Sequence, residues 1–294
     1  MSVLQRMILK DDDLIGFSEP AFLDERTFMI TYIIKHAPPE AYIQLYELDP
    51  TNPSQQPREI RKFHLPAINP IFSLELADCV SRAMSPTYTA VRSRSETLTA
   101  KMIYTDHEQL CHIILAFYEP GHDTMQQYSF FTYPSSFMSE AYRDSQDIPW
   151  ESWGYNNASI SENAAGPSPM WAQWYSRGDR VAVVTRASRV PPVMYNWALR
   201  VLDFRPPRVR RAQLIAQGQK VWPPPLEQEV RATLGALQDY NGHRRHGFSY
   251  AFKEGAVCCN LPFTETTILE NIVCSNIEVE MDDRRIVLNQ VSFT

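Results

Sequence analysis

A two-strand unit recurs along the chain, and it limits the possible folds more than any other feature. Around Asp24 the sequence reads DERTFMITYI and later YIQLYELDP, ending at Pro50. Around Asp179 it reads GDRVAVVTRA and later WALRVLDFRP, ending at Pro206. A weaker copy joins EQLCHIILAFYEP to QQYSFFTYP, which ends at Pro134, and the chain closes on MDDRRIVL, the opening half of a further unit. An apolar strand, a loop and a second strand in each copy indicate a repeated β-hairpin.

Short apolar runs rich in Val, Ile, Tyr and Phe supply the strands. They end at proline or at charged turns, which is typical of strands and not of helices. The chain has only 10 Gly against 22 Pro. Scarce glycine argues against phosphate-binding turns of the Rossmann or P-loop kind, and frequent proline favours many turns that end strands. The predicted strands include Thr27–Ile34, Tyr42–Leu48, Cys111–Tyr118, Tyr128–Tyr133, Val181–Thr185, Trp197–Phe204 and Arg285–Leu288.

Such a hairpin cannot bury its apolar faces alone, so copies must pack on one another. We therefore predict a single all-β domain over residues 1–294, an antiparallel β-repeat with units near 22–50, 107–134, 176–206 and 277–294. The units would form a propeller-like array, as a closed ring or as an open or partial one, or else a packed β-sandwich.

Two segments have helical signals and would lie in loops. One is Ser73–Met84. The other is Leu226–Tyr240, which a proline precedes and Asn241-Gly242 follows, as expected at helix ends. If the ring closes, residues before Asp24 should pair near Ile286–Leu288, because an unpaired apolar terminal strand is an aggregation hazard.

Charge and cysteine usage exclude several classes of function. The net charge of −6 gives no general case for nucleic acid, and we interpret the densest basic stretch, Arg205–Arg211, as a solvated loop. The five cysteines form no CxxC pair, so neither a disulfide framework nor a common zinc site is expected. Reduced cysteines and the lack of a long apolar stretch predict a cytoplasmic or nuclear protein with no membrane partner.

No recognisable catalytic motif is present. GxSxG and SxxK are both missing from the sequence. His107 and His112 lie five apart, which places them on opposite faces of a strand, so no metal site is predicted there. Asp11–Asp13 lacks the alternating ligand spacing of a calcium loop. We predict a protein that is not an enzyme and has no cofactor, although a Cys–His pair formed only in space stays open.

Aromatic and basic clusters provide the candidate binding residues. Four of the six tryptophans occur within 25 residues, and they either form a recognition surface or pack between sheets. A later HRRH cluster either meets a phosphate or acidic peptide, or is a loop tip. The candidate residues are Trp150, Trp153, Trp171, Trp174, His243, Arg244 and Arg245.

Three segments in order resemble the C-terminal region of F-box proteins from mushroom-forming fungi. They are IPWESWG at Ile148–Gly154, GDRVAVV running on to RVLDFRP, and the ending NLPFTE at Asn260–Glu265 followed by MDDRRIVL. The similarity covers Phe22–Leu288 loosely and Pro149–Leu288 more closely. Residue 263 is Phe where that family has Tyr. Residues 1–20 contain no F-box segment, so docking to the Skp adaptor is not predicted.

The resemblance implies a recognition domain. We predict a non-enzymatic protein-interaction domain, similar to the substrate-recognition part of an F-box protein, with another protein as its partner. The alternatives are a glycan-binding, propeller-like lectin, motivated by the clustered tryptophans, and an unrecognised hydrolase.

Overall fold

In the computed structural model the described residues are mostly β-strand, with three short helices. The structure describes residues 14–18, 20–34, 38–49, 51–52, 55–79, 88–89, 101–102, 110–118, 125–163, 172–190, 194–225, 233–235, 252, 261–274, 276–281 and 286–291.

The strands in chain order are β1 (Leu14–Phe17), β2 (Ala21–Phe22), β3 (Thr27–Ile34), β4 (Glu40–Glu47), β5 (Arg58–His64), β6 (Ser73–Cys79), β7 (Tyr88–Thr89), β8 (Lys101–Met102), β9 (Cys111–Tyr118), β10 (Met125–Thr132), β11 (Asp147–Ile148), β12 (Ala158–Asn163), β13 (Ala172–Arg177), β14 (Arg180–Val190), β15 (Met194–Asp203), β16 (Thr233–Gly235), β17 (Phe263–Cys274), β18 (Asn276–Met281) and β19 (Ile286–Val291). The helices are α1 (Pro134–Phe137), α2 (Trp150–Asn157) and α3 (Pro206–Ala216), with a 3-10 turn at Glu140–Tyr142.

Three sheets follow one another along the chain. The first has the order β1-β3-β4-β5-β11, with β2 pairing the other end of β3 and β11 running parallel to β5. The second is the antiparallel sheet β12-β10-β9-β6, and the third is β13-β14-β15-β17-β16. Two hairpins, β18-β19 and β7-β8, complete the described strands.

The first and second sheets pack face to face through alternate side chains. Odd-numbered residues of β3 and β4, such as Met29 and Ile43, meet Ile113 and Phe117 of β9 in the largest core cluster. This is the period of two that a pleated strand imposes on its side chains. Phe252 completes the cluster, because its ring makes edge-on contacts with Phe117, Tyr128 and Phe130.

The third sheet lies against the other face of the second and also carries the C-terminal hairpin. Phe131 of β10 packs with Val181 and Val183 of β14. The intervening residues of β14, Ala182 and Val184, face the opposite way and pack with Ile277 and Val279 of β18. The layers therefore follow chain order: first sheet, second sheet, third sheet, then the β18-β19 hairpin.

The all-β prediction is confirmed, and each predicted strand run contains a strand. The four predicted units contain the hairpins β3-β4, β9-β10, β14-β15 and β18-β19, each of which lies in a different sheet. The described residues do not form a closed barrel or a closed propeller ring. Common descent of the four hairpins stays a prediction.

The two helix predictions are wrong wherever the structure describes them. Ser73–Cys79 is strand β6, paired with the free edge of β9, and those long-range hydrogen bonds override local helix propensity. Thr233–Gly235 is strand β16, paired with β17. Residues 80–84, 226–232 and 236–240 lie outside the described residues.

Two further predictions need correction. The described residues before Asp24 pair with β3, where the Ser18 N–H donates to the Thr31 carbonyl, while β19 pairs with β18. The pairing with Ile286–Leu288 that a closed ring would require is therefore not formed by the described residues before Asp24. Arg205–Arg211 is no loop, since α3 begins at Pro206. Proline suits the first turn of a helix, whose N–H groups have no partner inside the helix.

Within the described ranges, no helix combines the length and apolarity that a bilayer crossing requires.

Candidate binding surface

Trp150 and Trp153 lie in helix α2, not in a loop, and they are core residues. Their exposed fractions are 3% and 0%. The Trp153 indole N–H donates to the carbonyl of His64 at 2.8 Å, and its ring packs edge-on against Phe63 at 5.7 Å. Burial of this degree leaves neither indole a surface for a partner, so packing replaces binding as the interpretation of these two residues.

Gly154 explains how Trp150 fits. A side chain at position 154 would overlap the ring of Trp150, one helical turn earlier. The glycine therefore leaves the space that the indole occupies. The two indole rings meet at 80° with centroids 5.0 Å apart, an arrangement that aromatic pairs favour.

The other predicted binding residues are not brought together in the described structure. Trp174 lies in β13, where its backbone is opposite Val183 of β14. Trp171, His243, Arg244 and Arg245 lie outside the described residues.

His112 is a strongly perturbed titratable group in the second sheet. It lies in β9, fully buried, with its ring stacked on Phe131 at 4.8 Å. Burial lowers its pKa from 6.5 to about 3, so the imidazole is neutral at physiological pH. Its neighbour Cys111 belongs to the core cluster on the other face of β9, so the two cannot form a catalytic pair.

Metal chemistry has no support in the part of the chain that the structure describes, where no three His, Cys, Asp or Glu side chains converge. His107 lies outside that part, as do Cys258 and Cys259.

Two tyrosines link β3 and β4 on the other face of the first sheet. The Tyr32 and Tyr46 hydroxyls are 2.7 Å apart, and the Tyr32 ring stacks on Tyr42 at 5.2 Å. Burial, together with the hydrogen bond between the two hydroxyls, raises the pKa of Tyr46. The Lys62 ammonium lies 4.2 Å from the centre of the Tyr42 ring. Because Tyr32 and Tyr46 are both buried, this network stabilises the sheet and offers a partner little surface.

Trp222 is the opposite case among the tryptophans. Its side chain is 88% exposed, against 57% for Ile71, the next most exposed large apolar residue that the structure describes. Three exposed prolines, Pro223–Pro225, follow it directly. Proline restricts the backbone and has no N–H group to donate to a neighbouring strand. The Trp222 ring therefore projects from an irregular segment whose conformation is restricted.

Helix α3 lies beside the Trp222 segment and is attached to it. The Arg211 guanidinium donates to the Pro223 carbonyl at 2.6 Å. Buried Val209 anchors the helix, which lies beside β16 and β17, while Arg208 and Arg210 are exposed. At the start of the helix, the Arg205 Nε donates to the Asp203 carboxylate at 2.9 Å, which fixes the chain as it leaves β15.

The sequence on the N-terminal side of Trp222 is rich in cations. From residue 204 to residue 226 the chain contains four arginines and one lysine but no acidic residue. The basic stretch is visible in the sequence, and a tryptophan followed by three prolines is a further local signal there for an irregular, surface-lying segment. The Trp222 surface consists of Arg208, Arg210, Arg211, Lys220, Trp222 and Pro223–Pro225.

Comparison of the chain with protein-family models, with curated proteins and with solved structures gave no match in any of the three. The resemblance to F-box proteins therefore stays a prediction.

Proposed function

We propose that this chain is a non-enzymatic protein-interaction domain and that it binds its partner through the Trp222 surface. The observation that carries the proposal is the 88% exposure of Trp222 beside an arginine-bearing helix. Tryptophan and arginine are the residue types most enriched at the energetic centres of protein interfaces. Single exposed apolar side chains are ordinary on protein surfaces, but a large ring on a restricted backbone among cations is not.

A propeller-like arrangement fits this role and is part of the proposal. Each of the three sheets is built around an antiparallel hairpin, and consecutive sheets pack face to face, as neighbouring propeller blades do. The F-box resemblance supports a recognition role, and the cytoplasm or nucleus is the expected compartment. The glycan-binding alternative has less support, because Trp150 and Trp153, which helped to motivate it, are buried.

The proposal is tested by capturing partner proteins from a lysate of the source cells and then measuring their affinity for the wild-type domain and its variants. The immobilised wild-type domain, Trp222→Ala and Tyr155→Ala would be compared, and any protein that distinguishes them would then be purified for calorimetry. Tyr155 is a suitable control because it is an exposed aromatic residue, at 43%, on helix α2. We expect Trp222→Ala to weaken the purified complex by about 2 kcal/mol, roughly thirtyfold.

The Tyr155→Ala variant should bind within about twofold of wild type, as peripheral substitutions usually do. Equal affinity of wild type and Trp222→Ala for every reproducible partner would contradict the proposal. Thermal melting of both variants checks that neither change unfolds the domain.

A further inference from the structure

We infer that the Trp222 surface binds a short, extended, acidic segment of another protein. This inference rests on the proposed function and adds the chemistry of the partner. The Trp222 surface combines an exposed large aromatic ring with an arginine-bearing helix, and the charge of these residues favours a partner of the opposite charge.

Charge distinguishes this surface from the rest of the chain. Residues 204–226 hold five cations, of which Arg205 is paired with Asp203, and no acidic residue, while the whole chain has 28 basic and 34 acidic residues. Without those five cations, 23 basic residues remain against 34 acidic ones, a net charge of −11. An acidic partner is repelled by the remainder and attracted here, which orients its approach and speeds association.

The side chains suit carboxylates. Arginine presents a planar fork of N–H donors that matches a carboxylate with two parallel hydrogen bonds, and Arg208 and Arg210 are exposed on helix α3. The Arg211 contact with the Pro223 carbonyl holds the helix next to the Trp222 ring. The ring adds a flat apolar face, so the preferred segment has acidic residues on both sides of an apolar one.

The size of the surface favours a peptide segment over nucleic acid. Helix α3 has 11 residues and is therefore about 16 Å long, which an extended chain crosses in about five residues. A long polyanion such as a nucleic acid would extend beyond the Trp222 surface. There it would meet the negatively charged remainder of the protein, where the excess of carboxylates repels phosphates. A short acidic segment stays within the cations.

Fluorescence anisotropy with labelled probes tests the inference on the full chain. The probes are a polyglutamate peptide, a peptide alternating glutamate with phenylalanine, a polylysine peptide of equal length and an oligothymidylate of equal charge. We expect both acidic peptides to bind, the alternating one more tightly, and polylysine not to bind. Added salt should weaken binding, because the attraction is electrostatic.

A pair of double variants with the same change in net charge gives the control. Arg208→Glu with Arg210→Glu should weaken binding of the alternating peptide about tenfold or more, because both exposed arginines lie on helix α3, which the Arg211 contact with Pro223 joins to the Trp222 segment. Arg58→Glu with Arg143→Glu changes the charge equally at exposed positions outside helix α3, and it should have an effect of about twofold or less. Trp222→Ala should remove the advantage of the alternating peptide over polyglutamate.

Equal loss in the two double variants would overturn the inference, as would tighter binding of oligothymidylate than of either acidic peptide. If neither acidic peptide binds while Trp222→Ala still releases the cellular partner, the acidic segment is wrong and the proposed function stands. If Trp222→Ala retains every partner, the proposed function itself is wrong.

Discussion

Helix α2 and the segment after helix α3 use tryptophan beside proline in opposite ways. In α2, Trp150 and Trp153 follow Pro149, lie one turn apart and point into the core between the first two sheets. After α3, Trp222 precedes three prolines and is 88% exposed. Residue type and local composition are therefore a poor guide to a tryptophan's role. What differs is whether a regular element turns the ring towards a sheet.

The largest expected effect comes from removing one tryptophan from each region in turn and comparing the loss of stability. Trp153→Ala should lower the free energy of unfolding by about 3–5 kcal/mol, because a fully buried indole leaves a cavity and an unpaired His64 carbonyl. Trp222→Ala should change it by less than about 0.5 kcal/mol. Urea unfolding of both variants measures the difference. Similar losses in the two would break the comparison.

The pH dependence of stability tests whether burial in the second sheet holds the His112 imidazole neutral. Its folded pKa of about 3 lies below its ordinary value of 6.5, so the unfolded chain binds the proton first. Stability is fully present above pH 6.5 and should fall below it, by up to about 1.4 kcal/mol per pH unit, until the pH reaches about 3.

The His112→Phe variant lacks this titration and should lose stability less steeply over the same pH range. Its control is His64→Gln, at the half-buried end of β5, which should retain the steep dependence. The measurement is the free energy of unfolding in urea as a function of pH. Parallel curves for wild type and His112→Phe would show that burial does not hold the imidazole neutral.

A substitution at Gly154 tests the close approach of the Trp150 ring to helix α2. Gly154→Ala should cost about 1–3 kcal/mol, because the new methyl group overlaps the Trp150 ring and the core must rearrange. Gly178→Ala is the matched control. Nothing lies near its missing side chain, but its φ of +56° disfavours alanine, at a cost of about 1 kcal/mol. Thermal melting compares them, and an unchanged melting temperature for Gly154→Ala would contradict the close approach.

Strands such as β3 were predictable from sequence because their signal is local. The run Thr27–Ile34 contains enough β-branched and aromatic residues to identify β3 without knowledge of its neighbours. Strand β6 was not predictable in the same way, since SLELADC has helical propensity and becomes a strand only by pairing with β9. The helix at Pro206 was hidden by its two prolines, which break a helix in its interior but suit its first turn.

The candidate site was harder to predict than the fold. The buried and exposed tryptophans look alike in sequence, because exposure depends on which sheet a ring meets after the chain has folded. Trp150 is buried through long-range packing on Phe130, and the space left by Gly154 allows it. The cations around Trp222 were visible as a basic stretch, but their proximity to it depends on the contact between Arg211 and Pro223.

The emission of Trp222 tests the central claim most directly. Subtracting the fluorescence spectrum of Trp222→Phe from that of the wild type isolates this indole from the other five tryptophans. In the free domain we predict emission typical of water and ready quenching by iodide. In a complex with a partner captured by the domain, we predict a shift to shorter wavelength and protection from quenching, because the ring becomes buried. An unchanged difference spectrum and unchanged quenching in that complex would contradict the claim that recognition occurs through Trp222.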